Sequence, residues 1–246
     1  GYRPVFPDLL RAGITCAGVT AELLVEAACP CRSLYPLQPR IFVPDATPAD
    51  PWTCTGTPSD WQASQIGSQC ASVRAGNVIG GGDWAEDRPV PDLMRAASSG
   101  ETAIVRNPKS TRPWQHVLEP LGAYLHIGQH LAGPNGAEFC KGWNFGPNNS
   151  ANKTVGEVVN DVIRLWGSGE VVVERDPNAP HEDHWLQLNC DRAYQYLRWK
   201  PTWDYPESIQ EAVHWYRQYQ DGADVSELTN SQIEKYTQAW VKAGND

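Results

Sequence analysis

The sequence predicts an α/β fold from Ala71 to the end of the chain, on three observations. Short apolar runs bounded by glycine or proline alternate there with amphipathic stretches of helical period. Capping residues and early prolines mark where those stretches begin. The composition also changes abruptly between Cys70 and Ala71.

The elements follow in order. Cys70 to Ile79 reads as a buried strand that runs into a loop at Gly80-Gly81-Gly82-Asp83. Pro89 to Ser98 is a short helix, proline being tolerated in its first turn. Thr102 to Arg106 is a strand. His116 to Leu131 carries Val117, Leu121, Tyr124, Leu125 and Leu131 as a helical stripe. Lys141 to Phe145 is a strand. Thr154 to Trp166 is an amphipathic helix, with Thr154 and Glu157 at the spacing of a capping box. Glu170 to Glu174 is a strand, and His184 to Leu188 is a further strand candidate. Asp191 to Leu197, Pro206 to Gln220 and Ser226 to Trp240 are helices. No internal repeat is present.

Residues 1–70 are different. They contain no lysine, asparagine or methionine, yet hold nine of the 20 prolines and five of the 7 cysteines. A stretch such as Pro44 to Pro51 makes no helix and interrupts any ladder. Only Val19 to Ala28 reads as helix, with Thr20 as its cap. Residues 29–69 are expected to lack regular structure. Three origins fit the zone: a disordered arm, a loosely folded remnant, or off-frame or mis-spliced translation. The sharpness of the boundary favours the third. The expected organisation is an aberrant or poorly structured segment, 1–70, and an ordered part, 71–246.

Composition narrows the function. The formal net charge is −9, so the chain gains nothing from releasing counterions on nucleic acid. No apolar run approaches the roughly 18 residues of a membrane span. No charged start and apolar stretch mark a secretory signal. The odd cysteine count gives no paired framework, and Cys29-Pro30-Cys31 has no second pair at zinc spacing. Free thiols without a signal point to the cytoplasm.

The most specific stretch runs from Arg74 through Asn77 and the three glycines to Trp84. Glycines at a strand end let a backbone approach a ligand, and Asn77 offers both a donor and an acceptor. A plain tight turn fits them as well. The spacing is not the G-x-G-x-x-G that precedes a helix at a pyrophosphate cradle. Arg88 and Arg112 are either solvated charges or phosphate ligands, a guanidinium being able to fork onto phosphate oxygens. His181, Glu182 and His184 have metal-like spacing, but no further ligand completing a site is evident, so no metal is expected.

These stretches carry a resemblance. Arg74-Ala75-Gly76-Asn77-Val78-Ile79-Gly80-Gly81-Gly82-Asp83-Trp84-Ala85-Glu86-Asp87-Arg88 resembles the signature of the CDP-glucose 4,6-dehydratase family. So do Arg106-Asn107-Pro108 with Thr111-Arg112-Pro113-Trp114-Gln115-His116-Val117-Leu118-Glu119-Pro120-Leu121, Trp143-Asn144-Phe145-Gly146-Pro147, and His181-Glu182 with Trp185-Leu186 and Leu188. Trp199-Lys200-Pro201 and Trp203, then a helix ending near Trp215-Tyr216, complete the series in order. The resemblance places the chain in the extended short-chain dehydrogenase/reductase superfamily. It implies a partial Rossmann-like NAD-dependent epimerase/dehydratase fold: late strands plus the C-terminal substrate-binding part.

The resemblance also implies a lyase that converts CDP-glucose to CDP-4-keto-6-deoxyglucose with bound NAD. It implies substrate contacts at Asn77, Arg88, Arg112, His181 and Glu182, the first three at the phosphates or ribose. Asp183 and His184 stand where some relatives carry a phosphate-gripping Arg, which puts that role in doubt. The expected partner is a nucleotide sugar, with a homo-oligomer possible.

The catalytic half is not legible. The family's chemistry needs a dinucleotide fold and a Tyr-x-x-x-Lys dyad in which lysine lowers the tyrosine pKa. The one such spacing, Tyr196 to Lys200, falls after the substrate region, where the dyad does not belong. If Ala21 to Val25 echoes the helix after the dyad, Ile14 and Gly18 stand in its place and neither moves a proton. No catalytic residue is therefore assigned. Two readings stay open: an incomplete, inactive family enzyme, and a non-catalytic nucleotide-sugar-binding remnant or partner of an intact homologue. A Trp-rich carbohydrate-binding module is the weaker third.

Overall fold

The computed structural model describes residues 69–174 and 187–245, together with strands β1 (Thr15–Cys16), β2 (Val19–Thr20), β3 (Glu22–Leu24) and β4 (Arg40–Val43). The chain divides into two compact units. The first comprises Gly1–Arg74, Leu121–Phe145 and Cys190–Trp199; the second comprises Ala75–Pro120, Gly146–Asn189 and Lys200–Asp246.

In the first unit a four-stranded sheet runs β3-β4-β5-β9, with β5 at Gln69–Ala75 and β9 at Gly142–Phe145. Strands β3 and β4 pair antiparallel with Glu22 opposite Phe42, and β4 pairs antiparallel with β5 with Ile41 opposite Ala71. Two expectations are corrected here. Val19–Thr20 and Glu22–Leu24 are strands, not one helix, because pairing partners outweigh a weak local preference. Arg40–Val43 is a regular strand within residues 29–69. Its Ile-Phe-Val run suits a strand, and Pro44 follows where the strand stops.

Helix α1 (Pro89–Ser99), α2 (Leu118–Leu131), α3 (Val155–Trp166), α4 (Asp191–Leu197), α5 (Tyr205–Gln220) and α6 (Val225–Ala243) all match segments the periodicity marks as helical. The capping box at α3 is made in full: Glu157 N–H donates to Thr154 Oγ1, and the Glu157 carboxylate accepts from Thr154 N–H at 2.8 Å. Helix α2 starts two residues later than its sequence stripe.

The reason for that late start is strand β8 (Thr111–His116), which the sequence did not reveal. It is the centre of a three-stranded sheet in the second unit, between β6 (Asn77–Ile79) and β10 (Asn152–Thr154). Pro113 hides it, since proline argues against a central strand. The single strand expected from Cys70 to Ile79 is also broken at Gly76. A Cβ there would lie 2.5 Å from the Pro113 carbonyl oxygen, so only glycine lets the two chains come this close.

Strands β7 (Thr102–Val105) and β11 (Glu170–Val173) pair parallel in a second small sheet of this unit. The core of the unit gathers α1, α3 and α5 around these sheets, with Met94, Val158, Val162 and Ala212 at 0–1 % exposure. Each such apolar side chain larger than alanine contributes roughly 1.5–3 kcal/mol.

Candidate functional site

The site builds from β8 outward. Its parallel register with β6 sets Asn77 beside Trp114, so Arg112 stands two positions before Asn77's partner. Residues two apart share a strand face, and register partners in a sheet share it too. Asn77 and Arg112 are therefore neighbours on one face of the β6–β8 pair. Both are half-buried, and one Arg112 Nη1 donates to the Thr111 carbonyl at 3.0 Å. On the other side β10 runs antiparallel, with Lys153 directly opposite Arg112. Like charges so placed disfavour the pairing. Lys153 is eased by Glu157 at 3.5 Å and by the Tyr205 ring, 5.9 Å from Nζ to its centroid. Lys153 drew no notice in the sequence, because a two-residue offset across an unrecognised strand cannot be read there.

Arg88 is placed differently. It is the residue before α1, in extended conformation, at the end of the loop that leaves β6. Its guanidinium pairs with Asp83 at 3.1 Å, and its side chain is 63 % exposed. The guanidinium is thus solvated and already paired, and an anion would have to compete with Asp83. His181 and Glu182 lie outside the described residues.

The glycine loop serves packing. A Cβ on Gly81 would fall 2.0–2.6 Å from the Trp215 ring, and one on Gly80 would fall 2.7 Å from Val117. Only Gly82 needs glycine for its backbone, with φ at 77°. The space these glycines leave is filled by protein, and no helix follows directly. The loop therefore does not fit a dinucleotide pyrophosphate, and no other glycine cradle occurs among the described residues.

Behind β8 sits a buried polar centre that sequence reasoning passed over. Glu119, in the first turn of α2, is fully buried. Its carboxylate accepts from Thr202 N–H at 3.0 and 3.1 Å and from Trp203 N–H at 2.6 Å. The Tyr236 hydroxyl also faces it. Burial pushes the Glu119 carboxyl up to about 7 against the pull of those donors. His116 is equally buried, and burial holds its imidazole down to about 3. Its Nδ1 accepts from Leu118 N–H at 3.3 Å, so its proton is on Nε2, and its ring meets Trp203 edge-on at 4.9 Å between centroids. These groups tie the Lys200–Trp203 turn to α2. They anchor the frame of the site rather than line it.

No family model matches the chain. A curated relative does: the CDP-glucose 4,6-dehydratase of Salmonella typhimurium, 42 % identical over 185 residues, which are 75 % of this chain and 51 % of that protein. The chain is a relative of the CDP-glucose 4,6-dehydratases. It spans about half the length of the curated relative it matches. Among solved structures it is similar to a dTDP-glucose 4,6-dehydratase of Bacillus anthracis in complex with NAD, with TM-score 0.51, 21 % identity, and coverage of 61 % of this chain and 45 % of that one. It is similar to a UDP-glucose 4-epimerase of Thermotoga maritima with UDP-glucose, with TM-score 0.53, 20 % identity, and coverage of 64 % and 48 %. A dTDP-glucose 4,6-dehydratase of Streptomyces venezuelae gives TM-score 0.51 at 17 % identity, covering 63 % and 45 %. At such identities the structural likeness shows the fold: mixed α/β with parallel pairing, shared with Rossmann-like epimerases and dehydratases.

The chemistry of a dehydratase is not assembled among the described residues. Tyr196 lies in α4 and is 65 % exposed, with the Lys141 ammonium 5.9 Å from its ring centroid. Helix α4 ends at Leu197, and Arg198 turns into the left-handed region at φ 54°. Lys200 is therefore not on the helix that carries Tyr196, and the two do not form a dyad. Ile14 and Gly18 lie outside the described residues. The described residues contain no group of three or more His, Cys, Asp or Glu arranged for a metal, and no helix long and apolar enough to cross a membrane.

Proposed function

We propose that this chain is the nucleotide-sugar-binding part of a CDP-glucose 4,6-dehydratase-like protein and does not turn substrate over by itself. The 42 % identity to such an enzyme over three-quarters of the chain carries the reading. The strand register supports a diphosphate site around Asn77 and Arg112, with Lys153 adding charge from β10 and Arg88, His181 and Glu182 as outer contacts. In the family NAD takes up and returns the hydride; the described residues offer no cradle for it, so no step is assigned to this chain. Its own residues bind: guanidinium and ammonium for the diphosphate, amide for orientation. The setting proposed is the cytoplasm, without nucleic acid or membrane, and self-association is an open expectation of the family resemblance.

Titration of the full chain with CDP-glucose tests this. Arg112→Ala is expected to weaken binding roughly tenfold or more, the value of a lost charged hydrogen bond. Lys242→Ala, on the exposed end of α6, is expected to leave it unchanged. Equal affinity in the Arg112 variant overturns the assignment.

A further inference from the structure

Every backbone N–H of the Lys200–Trp203 turn is held by a side chain from far away in sequence. Pro201 has none to offer. The Glu119 carboxylate takes those of Thr202 and Trp203. Asn245, which follows α6 and is 2 % exposed, takes that of Lys200 on Oδ1 at 2.8 Å. Its Nδ2 donates in return to the Lys200 carbonyl at 2.9 Å. One side-chain amide thus pairs with one residue's backbone as a neighbouring strand would. The pairing also fixes which end of the amide is oxygen, since only oxygen can accept from Lys200 N–H. Gly244 turns the chain back to bring Asn245 there, with φ at 74°.

Hydroxyl groups join the two grips. Asn245 Nδ2 also donates to Thr202 Oγ1 at 3.3 Å. The Thr202 hydroxyl donates to Tyr236 of α6, and the Tyr236 hydroxyl donates to the Glu119 carboxylate. Donation therefore runs one way, from Asn245 through Thr202 and Tyr236 to Glu119. That order requires Glu119 as a carboxylate. A protonated Glu119 has to donate, and the Thr202 and Trp203 amides around it are donors themselves, so the Tyr236 oxygen is its acceptor. Tyr236 then turns its own hydrogen to Thr202. Thr202 now accepts from both sides and no longer donates into the chain. Its hold on Asn245 weakens, because each bond in such a chain polarises the next.

We infer that the segment after α6 is a proton-linked latch: Asn245 grips the Lys200–Trp203 turn more firmly when Glu119 is ionised, and the Tyr236 and Thr202 hydroxyls carry the coupling. Burial favours neutral Glu119, the Trp203 and Thr202 amides and Tyr236 oppose it, and Glu207 of α5 adds repulsion. The balance lies at about 7, so both forms are populated near neutral pH. His116 of β8 stays neutral there, and Lys235 of α6 is taken up by Glu207 and Glu211. Linkage makes the coupling reciprocal: a closed latch holds the Glu119 pKa down, and an open one lets it rise. The latch therefore tightens as pH rises through about 7, while the contribution of Glu119 to overall stability falls. The first follows the direction of the hydrogen bonds and the second follows burial.

Amide hydrogen exchange at Lys200 N–H, followed by NMR on the full chain and corrected for the intrinsic pH dependence of exchange, tests this. Protection in the unsubstituted chain is expected to rise about threefold or more from about pH 6 to about pH 8, the value of one modest hydrogen bond. Glu119→Gln is expected to remove that rise. Thr202→Val and Tyr236→Phe are expected to remove it too, although both leave Glu119 and its backbone bonds in place. In the reciprocal direction, Asn245→Ala is expected to raise the pH at which the Glu119 carboxyl titrates, read from its carbon NMR shift. Protection that does not change with pH in the unsubstituted chain refutes the latch. A rise that persists undiminished in Thr202→Val and Tyr236→Phe refutes the hydroxyl coupling, and so does a Glu119 titration that Asn245→Ala leaves unmoved.

Discussion

Glu119 and His116 show how burial alone sets opposite pH dependences at neighbouring positions. The carboxyl of Glu119 moves from 4.5 to about 7 on folding, so its contribution to stability is full below pH 4.5 and is lost as pH rises through 7. The imidazole of His116 moves from 6.5 to about 3, so its contribution is full above pH 6.5 and is lost as pH falls towards 3. His126, also held down mainly by burial, acts in the same sense as His116. Between pH 4.5 and 6.5 the Glu119 and His116 slopes oppose, each about 1.4 kcal/mol per pH unit. Glu119→Gln removes one of them. Urea midpoints of that variant are expected to climb more steeply from pH 4.5 to 6.5 than those of the unsubstituted chain, in which Glu119 offsets part of the slope from His116 and His126. Identical pH curves for the two proteins would count against the assignment. Neither group was singled out from sequence. A Glu in a helix's first turn reads as an exposed dipole partner, and nothing local says that the Thr202 and Trp203 amides meet it across some eighty positions.

At the scale of elements, the glycine loop and α5 are fitted to each other. A methyl group on Gly81 would overlap the Trp215 ring, so either the loop lifts or the helix shifts. Gly81→Ala is expected to lower stability by about 1–3 kcal/mol, the usual cost of overpacking. Thermal melts check this, and Trp215→Leu in the Gly81→Ala background should recover part of the loss. A strictly additive double variant would show that the two positions do not touch. The helices were legible because their signals are local: apolar periodicity for α3 and α5, the Thr154–Glu157 cap, the early prolines of α1 and α5. Strand β8 was illegible for an equally physical reason. Its six residues include Arg112, Pro113 and Gln115, and only pairing with β6 and β10 makes them a strand. With β8 unseen, Lys153 opposite Arg112 was unseen too.

For the whole molecule, what matters is that the chain spans about half the length of the curated relative it matches. The sequence shows no G-x-G-x-x-G before a helix and no Tyr-x-x-x-Lys where the dyad belongs, so the chain is expected to show no 4,6-dehydratase turnover and no tight NAD binding. Calorimetric titration that returned micromolar NAD affinity would contradict this.

What the sequence by itself determined is the family resemblance, the alternation of helices and strands after Ala71, and Asn77, Arg88 and Arg112 as candidate site residues. These rest on residue types and short spacings, which a linear chain displays directly. Only the tertiary structure decided the rest. It set Arg112 next to Asn77, gave Arg88 to Asp83, filled the glycine loop with Trp215 and Val117, and buried Glu119 under the Thr202 and Trp203 amides. It also placed strands Glu22–Leu24 and Arg40–Val43 in a sheet with β5, against the reading of that zone from composition. Each of these depends on partners far away in sequence, and pairing, close approach and desolvation exist only once the chain has brought such partners together.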